Sequence, residues 1–166
     1  MIRLALAFAF ALATSSAAAA ASLPRQGVLV PGKSLAGVRL GDTPERVRAR
    51  WGTGYRTCGQ CAQRTWYFTY ERATGEPFGV GVSFRRGSVS AIFTLGSPRG
   101  WRTSEGLRLG DGIDRAHRLY GDLSWRACIG YVALTMRRAR AVTSIYSTGE
   151  SVYGFALTRP GVSVCQ

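Results

Sequence analysis

The chain is poor in the residues from which most catalytic and metal sites are built. Its 166 residues include a single histidine, His117, and only 9 acidic residues. A hydrolytic triad needs a histidine near a nucleophile, and most zinc sites draw several of their ligands from histidine and cysteine. We therefore interpret His117 as a solvated residue on a short helix, and the sequence indicates no catalytic residue, no cofactor and no metal ion.

Lysine is almost absent, because Lys33 is the only one and all other basic residues are arginine. The chain has 22 basic and 9 acidic residues and a formal net charge of +13. Arginine suits bidentate contacts with phosphate or carboxylate, although a coding bias toward arginine explains the composition equally well. So large a charge favours anionic partners by non-specific attraction, and no specific nucleic-acid partner is indicated.

Long apolar runs are confined to the N-terminus. A basic start is followed by the apolar run Leu4–Ala13 and then by small residues in several Ala-x-Ala frames. This pattern is typical of a secretory signal peptide, and we expect cleavage near Ala19 to Ala21. Residues 1–21 are thus predicted to be removed, which leaves a secreted or otherwise extracytoplasmic protein with no transmembrane segment and no lipid-modified cysteine.

The four cysteines of an exported chain indicate disulfide bonds, for which three pairings exist. Cys58 and Cys61 are close together, whereas Cys128 and Cys165 lie in the last part of the chain. We expect the pairs Cys58–Cys61 and Cys128–Cys165, the second of which would fix the C-terminal segment to the sheet.

The CxxC spacing of Cys58 and Cys61 also permits a second interpretation, a thiol–disulfide redox centre. Such centres lie where a strand leads into a helix N-terminus, which activates the thiol. Here a predicted helix precedes the motif and an aromatic strand follows it, so a local structural disulfide is favoured and redox activity is kept as the alternative.

One hexapeptide occurs twice and organises the rest of the chain. Gly37–Asp42 (GVRLGD) returns as Gly106–Asp111 (GLRLGD). Each copy is followed by a helix signal, with Asp42 or Thr43 as the first cap, Asp111 as the second, and a glycine after the last turn. Two copies of one supersecondary unit are therefore predicted.

Each helix is too short to be stable alone, so it must pack against a sheet. Alternating apolar residues and turn signals predict six strands: Thr65–Glu71, Phe78–Phe84, Val89–Leu95, Ile129–Met136, Ala141–Ser147 and Ser151–Thr158. Fewer residues separate the hexapeptide from the arginine turn in the second unit than in the first. The second unit is therefore expected to lack about one strand's worth of residues near the counterpart of 58–72, so that the two sheets are unequal.

The predicted fold class is α+β, with two pseudo-repeats that each pack a short helix on an antiparallel β-sheet and together form one domain. Its predicted divisions are a lead-in with one edge strand, a first repeat, a linker and a second repeat, at 22–34, 35–96, 97–102 and 103–166.

The repeated pattern of glycines, cap, short helix and antiparallel sheet resembles two known families. It is similar to the unit of the secreted beta-lactamase inhibitory proteins and to that of the SmpA/OmlA-type small lipoproteins of outer-membrane assembly. The resemblance covers 35–95 and 103–158. It implies two units whose concave sheet grips a target protein, and no functional residue of either family is carried over.

Two groups of residues are candidates for binding. The first is a pair of predicted hairpin tips, expected at equivalent positions of the two repeats. They are interpreted either as solubilising charge or as a two-part cradle for an anion: Arg85, Arg86, Arg137, Arg138 and Arg140. The second is the aromatic strand, which is either core or an exposed recognition face: Trp66, Phe68 and Tyr70.

The sequence therefore predicts an exported, non-catalytic binding module whose partner is a protein or an anionic component of the cell envelope. The alternatives are the redox protein that uses Cys58 and Cys61, and purely structural support in the envelope.

Overall fold

The computed structural model of the protein describes residues 22–68, 79–96 and 98–166. The predicted signal peptide and Tyr70 lie outside the described residues, as does part of the connection that follows the first aromatic strand. The described chain is a mixed α+β structure that is mostly β-sheet, as the sequence predicted.

Two short helices lie among the described residues, α1 (Pro44–Trp51) and α2 (Ile113–Tyr120). Both end at the glycines that the sequence indicated, Gly52 and Gly121, whose backbone N–H groups donate to the last turn. Val47 and Trp51 of α1 are buried, as expected from their spacing on one helical face.

Eight antiparallel strands form the large sheet, in the order β4-β5-β6-β7-β12-β11-β10-β9. Their bounds are Arg56–Thr57 (β4), Arg64–Tyr67 (β5), Gly79–Arg85 (β6), Ser88–Leu95 (β7), Ser124–Ala127 (β9), Val132–Arg138 (β10), Ala141–Thr148 (β11) and Ser151–Thr158 (β12). Four strands of this sheet follow each helix, so the expectation of unequal sheets is wrong. The second unit has one strand fewer than the first before its arginine turn and one strand more after it. The short edge strand β9 was missed because its four residues are all exposed and carry no alternating pattern.

A second, smaller sheet joins the segments that were interpreted as a lead-in and a linker. Its order is β3-β2-β1-β8, with the strands Val28–Val30 (β1), Ser34–Leu35 (β2), Val38–Arg39 (β3) and Arg102–Thr103 (β8). The predicted edge strand is therefore internal, because β1 pairs with β2 on one side and in parallel with β8 on the other.

The repeated hexapeptide attaches the start of each helix to the large sheet. Gly41 N–H donates to the Val89 carbonyl at 2.9 Å, and Val89 N–H donates to the Asp42 carbonyl at 2.9 Å. The second copy forms the same pair of bonds between Gly110–Asp111 and Val152, at 2.8 Å each.

The aspartate side chains of the two hexapeptides close their own loops. The Asp42 carboxylate accepts from Arg39 N–H, and the Asp111 carboxylate accepts from Arg108 N–H, each at 2.8 Å. The prediction that Asp111 caps α2 is therefore wrong: the N-cap is Gly112, with no side-chain cap. Of the two residues predicted as possible caps of α1, Asp42 and Thr43, the structure uses Thr43, whose hydroxyl accepts from Arg46 N–H.

The main core lies between the helices, the small sheet and one face of the large sheet. Its largest fully buried side chains include Trp51, Trp66 and Trp101. Trp101, in the segment read as a linker, donates its indole N–H to the Pro24 carbonyl at 3.0 Å. On the other face of the large sheet, a second apolar cluster includes Phe93, Tyr146 and Val164.

The centre of the large sheet is the antiparallel ladder between β7 and β12, in which Phe93 pairs with Ala156 and Leu95 pairs with Gly154. A Cβ atom at Gly154 would lie against the Thr94 carbonyl oxygen, well inside contact distance. Because that oxygen belongs to the backbone of the neighbouring strand, β7 and β12 would have to separate locally to admit a methyl group.

We expect Gly154→Ala to lower the free energy of unfolding by about 1–3 kcal/mol, because it overpacks the centre of the sheet. Urea denaturation of the purified protein measures this change. The matched control is Gly54→Ala, where an added Cβ meets nothing within 4 Å, and this variant should stay within about 0.5 kcal/mol of the parent. Equal stability of the two variants would contradict the close approach of β7 and β12.

Candidate functional site

The predicted hairpin tips are both present and lie at the same end of the large sheet. Arg85 ends β6, and Arg86 lies in the turn to β7. Arg137 and Arg138 end β10, and Arg140 lies in the turn to β11. Because β7, β12 and β11 are successively antiparallel, the start of β7, the end of β12 and the start of β11 coincide at one end. From the strand spacing, the two tips are about 14 Å apart.

The expectation that the two tips occupy equivalent positions is wrong. Counted from the β4 edge, Arg85 and Arg86 connect the third and fourth strands of the sheet. Counted from the β9 edge, Arg138 and Arg140 connect the second and third. The tips share one end because of the central antiparallel ladder, and not because they are counterparts.

A sixth arginine, Arg159, lies between the tips and was not singled out from the sequence. It directly follows β12, and its backbone N–H donates to the Ser90 carbonyl at 2.9 Å. Its guanidinium donates to the Ser88 hydroxyl at 3.1 Å, which holds the side chain beside the first tip. Its place immediately after the last predicted strand was the signal that could have found it. We call these six residues the arginine end: Arg85, Arg86, Arg137, Arg138, Arg140 and Arg159.

The positive charge of the arginine end is not neutralised by the part of the chain that the structure describes. The five tip arginines are exposed. The ion pairs among the described residues are Arg46–Asp42, Arg48–Glu45 and Arg115–Asp111, and none of them involves the arginine end. Six guanidinium groups therefore present their donors to solvent or to a neighbouring residue without a carboxylate partner from the described residues.

The aromatic candidates Trp66 and Phe68 belong to the core, so they do not form an exposed recognition face. Both are buried on the helix side of the sheet, where the ring of Trp51 meets that of Phe68 edge-on at 5.2 Å. Tyr55 stacks on Trp66 at a centroid distance of 3.9 Å. The third candidate, Tyr70, lies outside the described residues.

Both predicted disulfides are confirmed, with Cα–Cα distances of 5.6 Å for Cys58–Cys61 and 5.5 Å for Cys128–Cys165. Cys58–Cys61 lies in the connection between β4 and β5. In the described part of the chain this pair does not lead into a helix N-terminus, because α1 ends before β4 and the strand β5 follows the motif.

The disulfide Cys128–Cys165 holds the C-terminal segment across the face of the sheet that the helices leave uncovered. The Tyr146 hydroxyl donates to the Val164 carbonyl, and the Tyr131 hydroxyl donates to the Gln166 carbonyl at 3.0 Å. Burial raises the pKa of Tyr146 well above its ordinary value, so this hydroxyl stays a donor.

A small groove separates this C-terminal segment from the Cys58–Cys61 loop. It has a volume of about 250 Å³ and is lined by Tyr67, Phe93, Cys61 and Cys165 among others. The hydroxyls of Thr65 and Ser83 in its lining are hydrogen-bonded to each other at 2.8 Å. None of the described residues that line it has a basic side chain, so this groove adds nothing to the anion-binding candidates.

The remaining sequence candidates are not brought together. His117 is exposed on α2, and the described residues contain no group of three or more His, Cys, Asp or Glu side chains that could hold a metal ion. Among the same residues, neither helix has the length and apolar character needed to cross a membrane.

Comparison of the chain with protein-family models, with curated proteins and with solved structures finds no match in any of the three. The function is therefore inferred from the geometry and charge of the residues themselves.

We expect loss of Cys128–Cys165 to destabilise the protein more than loss of Cys58–Cys61. The sequence separations are 37 and 3 residues. In the chain-entropy model, loops of these lengths contribute about 4 and about 2 kcal/mol to the free energy of unfolding. Urea denaturation of the two Cys→Ser double variants measures the difference, and a larger loss in the Cys58/Cys61 variant would contradict it.

Proposed function

We propose that this protein is an exported, non-catalytic binding module that takes an anionic partner at its arginine end. The partner is a protein surface rich in carboxylates or an anionic component of the cell envelope. One observation carries the proposal: six arginines from separate parts of the chain gather at one end of the large sheet without a carboxylate partner among the described residues.

Clustered arginines destabilise the folded protein unless an anion binds to them. Like charges held near one another repel, and each isolated surface charge contributes little to stability. Guanidinium groups bind phosphate and carboxylate with paired, planar hydrogen bonds. The spacing of about 14 Å between the tips would let one extended polyanion contact both at once.

The predicted export is compatible with two disulfides, since such bonds persist outside the reducing cytosol. The alternative function, thiol–disulfide exchange by Cys58 and Cys61, has a different requirement: both thiols must react, whereas anion binding needs neither. Reduction of this pair should therefore leave anion binding unchanged if the proposal is right.

We also propose the finer architecture, two repeats of one helix-plus-sheet unit. Three observations support it. The two hexapeptides make the same hydrogen bonds to Val89 and Val152, four strands of the large sheet follow each helix, and the halves meet at the ladder centred on Phe93 and Ala156. The resemblance to the inhibitory proteins would then imply that the sheet binds a target, and we propose that the target binds at the arginine end of the large sheet.

Replacing the five tip arginines by glutamine should weaken binding of inorganic polyphosphate by about tenfold or more, because exposed charge pairs of 0.2–1 kcal/mol each are lost together. Fluorescence anisotropy with labelled polyphosphate at low and physiological salt measures the affinity. The parent should lose affinity steeply as salt rises, and the variant should not.

The matched control replaces five exposed arginines elsewhere, which gives the same net charge: Arg25, Arg56, Arg99, Arg108 and Arg126. Its affinity should stay within about threefold of the parent, since only weak long-range attraction is lost. Melting temperatures of both variants should match the parent, because exposed positions contribute little to stability. Equal weakening in the two variants would show that net charge alone is recognised and would contradict the proposal.

A further inference from the structure

A cleft opens on the helix side of the sheet, beside the second arginine tip. It has a volume of about 750 Å³, within the range of sites that hold small organic molecules. Four segments enclose it: the end of β1 with the turn after it, the loop after β8, the last turn of α2 and the end of β10. Its lining combines cations with apolar side chains, which distinguishes it from the exposed tips.

The cationic part of the cleft comes from Lys33, Arg137 and Arg138. The aliphatic stem of Arg138 lies against Gly32, where an added Cβ would be 2.7 Å from its Cδ. Gly32 N–H in turn donates to the Thr143 hydroxyl at 2.9 Å, which fixes this turn on the sheet. The contact with Gly32 therefore fixes the direction in which the Arg138 side chain runs along the cleft.

Among the described residues that line the cleft, Glu105 has the one carboxylate, and one of its oxygens is hydrogen-bonded within the cleft. Glu105 Oε2 accepts from the Tyr120 hydroxyl at 2.7 Å and from the Ser104 hydroxyl at 2.8 Å. Burial acts to raise the pKa of Glu105, but hydrogen bonds, chiefly from Tyr120 and Ser104, outweigh it and hold the pKa below its ordinary value. Glu105 pairs with none of the cleft's cations within the described residues, so the cleft keeps a net positive charge.

The apolar part of the cleft is incompletely covered. Val30, Met136 and Tyr120 are only partly buried, and Leu119 on α2 has 37% of its surface in water. Three large apolar side chains are exposed among the described residues, and of these Leu119 is the one that lines the cleft. An occupant that covers it would gain free energy from the apolar area removed from water.

We propose that this cleft binds one molecule of an amphipathic anion, an alkyl or acyl chain that carries a single phosphate or carboxylate group. The head group contacts Lys33 and Arg138, and the chain covers Leu119 and Met136. The inference rests on the proposed function for its preference for anions and goes further, because it assigns an apolar complement that the exposed tips lack. A recess of this size takes a single molecule and not a flat, charged surface.

Isothermal titration calorimetry with octyl phosphate, octanoate, octanol and inorganic phosphate, all below aggregation, tests this assignment. Octyl phosphate and octanoate should each bind at least about tenfold more tightly than inorganic phosphate, since each buried methylene contributes to affinity. Octanol should bind at least about tenfold more weakly than octyl phosphate, because it lacks the charge that Lys33 and Arg138 recognise. The stronger of the two charged ligands identifies the head group.

Variants separate the two parts of the cleft. Leu119→Ala, which keeps a good helix former, should weaken octyl phosphate about threefold to tenfold and leave inorganic phosphate unchanged. Its control is Ile129→Ala, at a fully exposed apolar residue outside the cleft, which should change neither. The double variant Lys33→Gln/Arg138→Gln should weaken octyl phosphate at least about tenfold but octanol less than twofold.

Failure of this inference is distinguishable from failure of the proposed function. The cleft proposal is overturned if octyl phosphate does not bind, or if its binding is insensitive to Leu119→Ala. The proposed function still stands in that case if polyphosphate binding requires the tip arginines. Octyl phosphate binding that depends on Leu119 and Arg138, in a protein that does not bind polyphosphate, supports the cleft and overturns the broader proposal.

Discussion

The antiparallel ladder between β7 and β12 is the interaction on which the rest of the structure depends. It joins two groups of four strands into one sheet, and its direction decides which loops share an end. Were these two strands parallel, the tips at Arg86 and Arg140 would lie at opposite ends. The close approach at Gly154 shows how tightly the ladder is packed, and each hexapeptide then attaches a helix beside it through Val89 or Val152.

Features set by short-range patterns were predictable from the sequence. The strand Ser151–Thr158 has the predicted bounds, because alternation and a flanking Gly-Glu turn specify it locally. The helix ends at Gly52 and Gly121 follow from glycine's tolerance of positive φ, which is 78° and 70° there. The disulfides were predictable because the pair Cys58 and Cys61 is close in sequence and leaves a single partner for Cys128.

Features set by long-range contacts were not predictable in the same way. The parallel pairing of β1 with β8 joins segments of two and three residues, too short to show a period, and Trp101 is buried only because that pairing forms. Asp111 is of a residue type that often caps helices, but its carboxylate accepts from Arg108 N–H, which precedes it in the chain, and not from the helix that follows. The sequence places Arg159 at the end of the last predicted strand, but its position between the two tips depends on the order of strands, which no local pattern encodes.

Side-chain NMR of the arginine Nε–Hε groups during titration with unlabelled polyphosphate tests the central claim most directly. The claim is that anions are bound by one end of the sheet and not by positive charge in general. We expect the largest shifts at Arg85, Arg86, Arg138 and Arg140, with small shifts at exposed arginines elsewhere such as Arg56. Shifts of equal size throughout the exposed arginines would contradict the account.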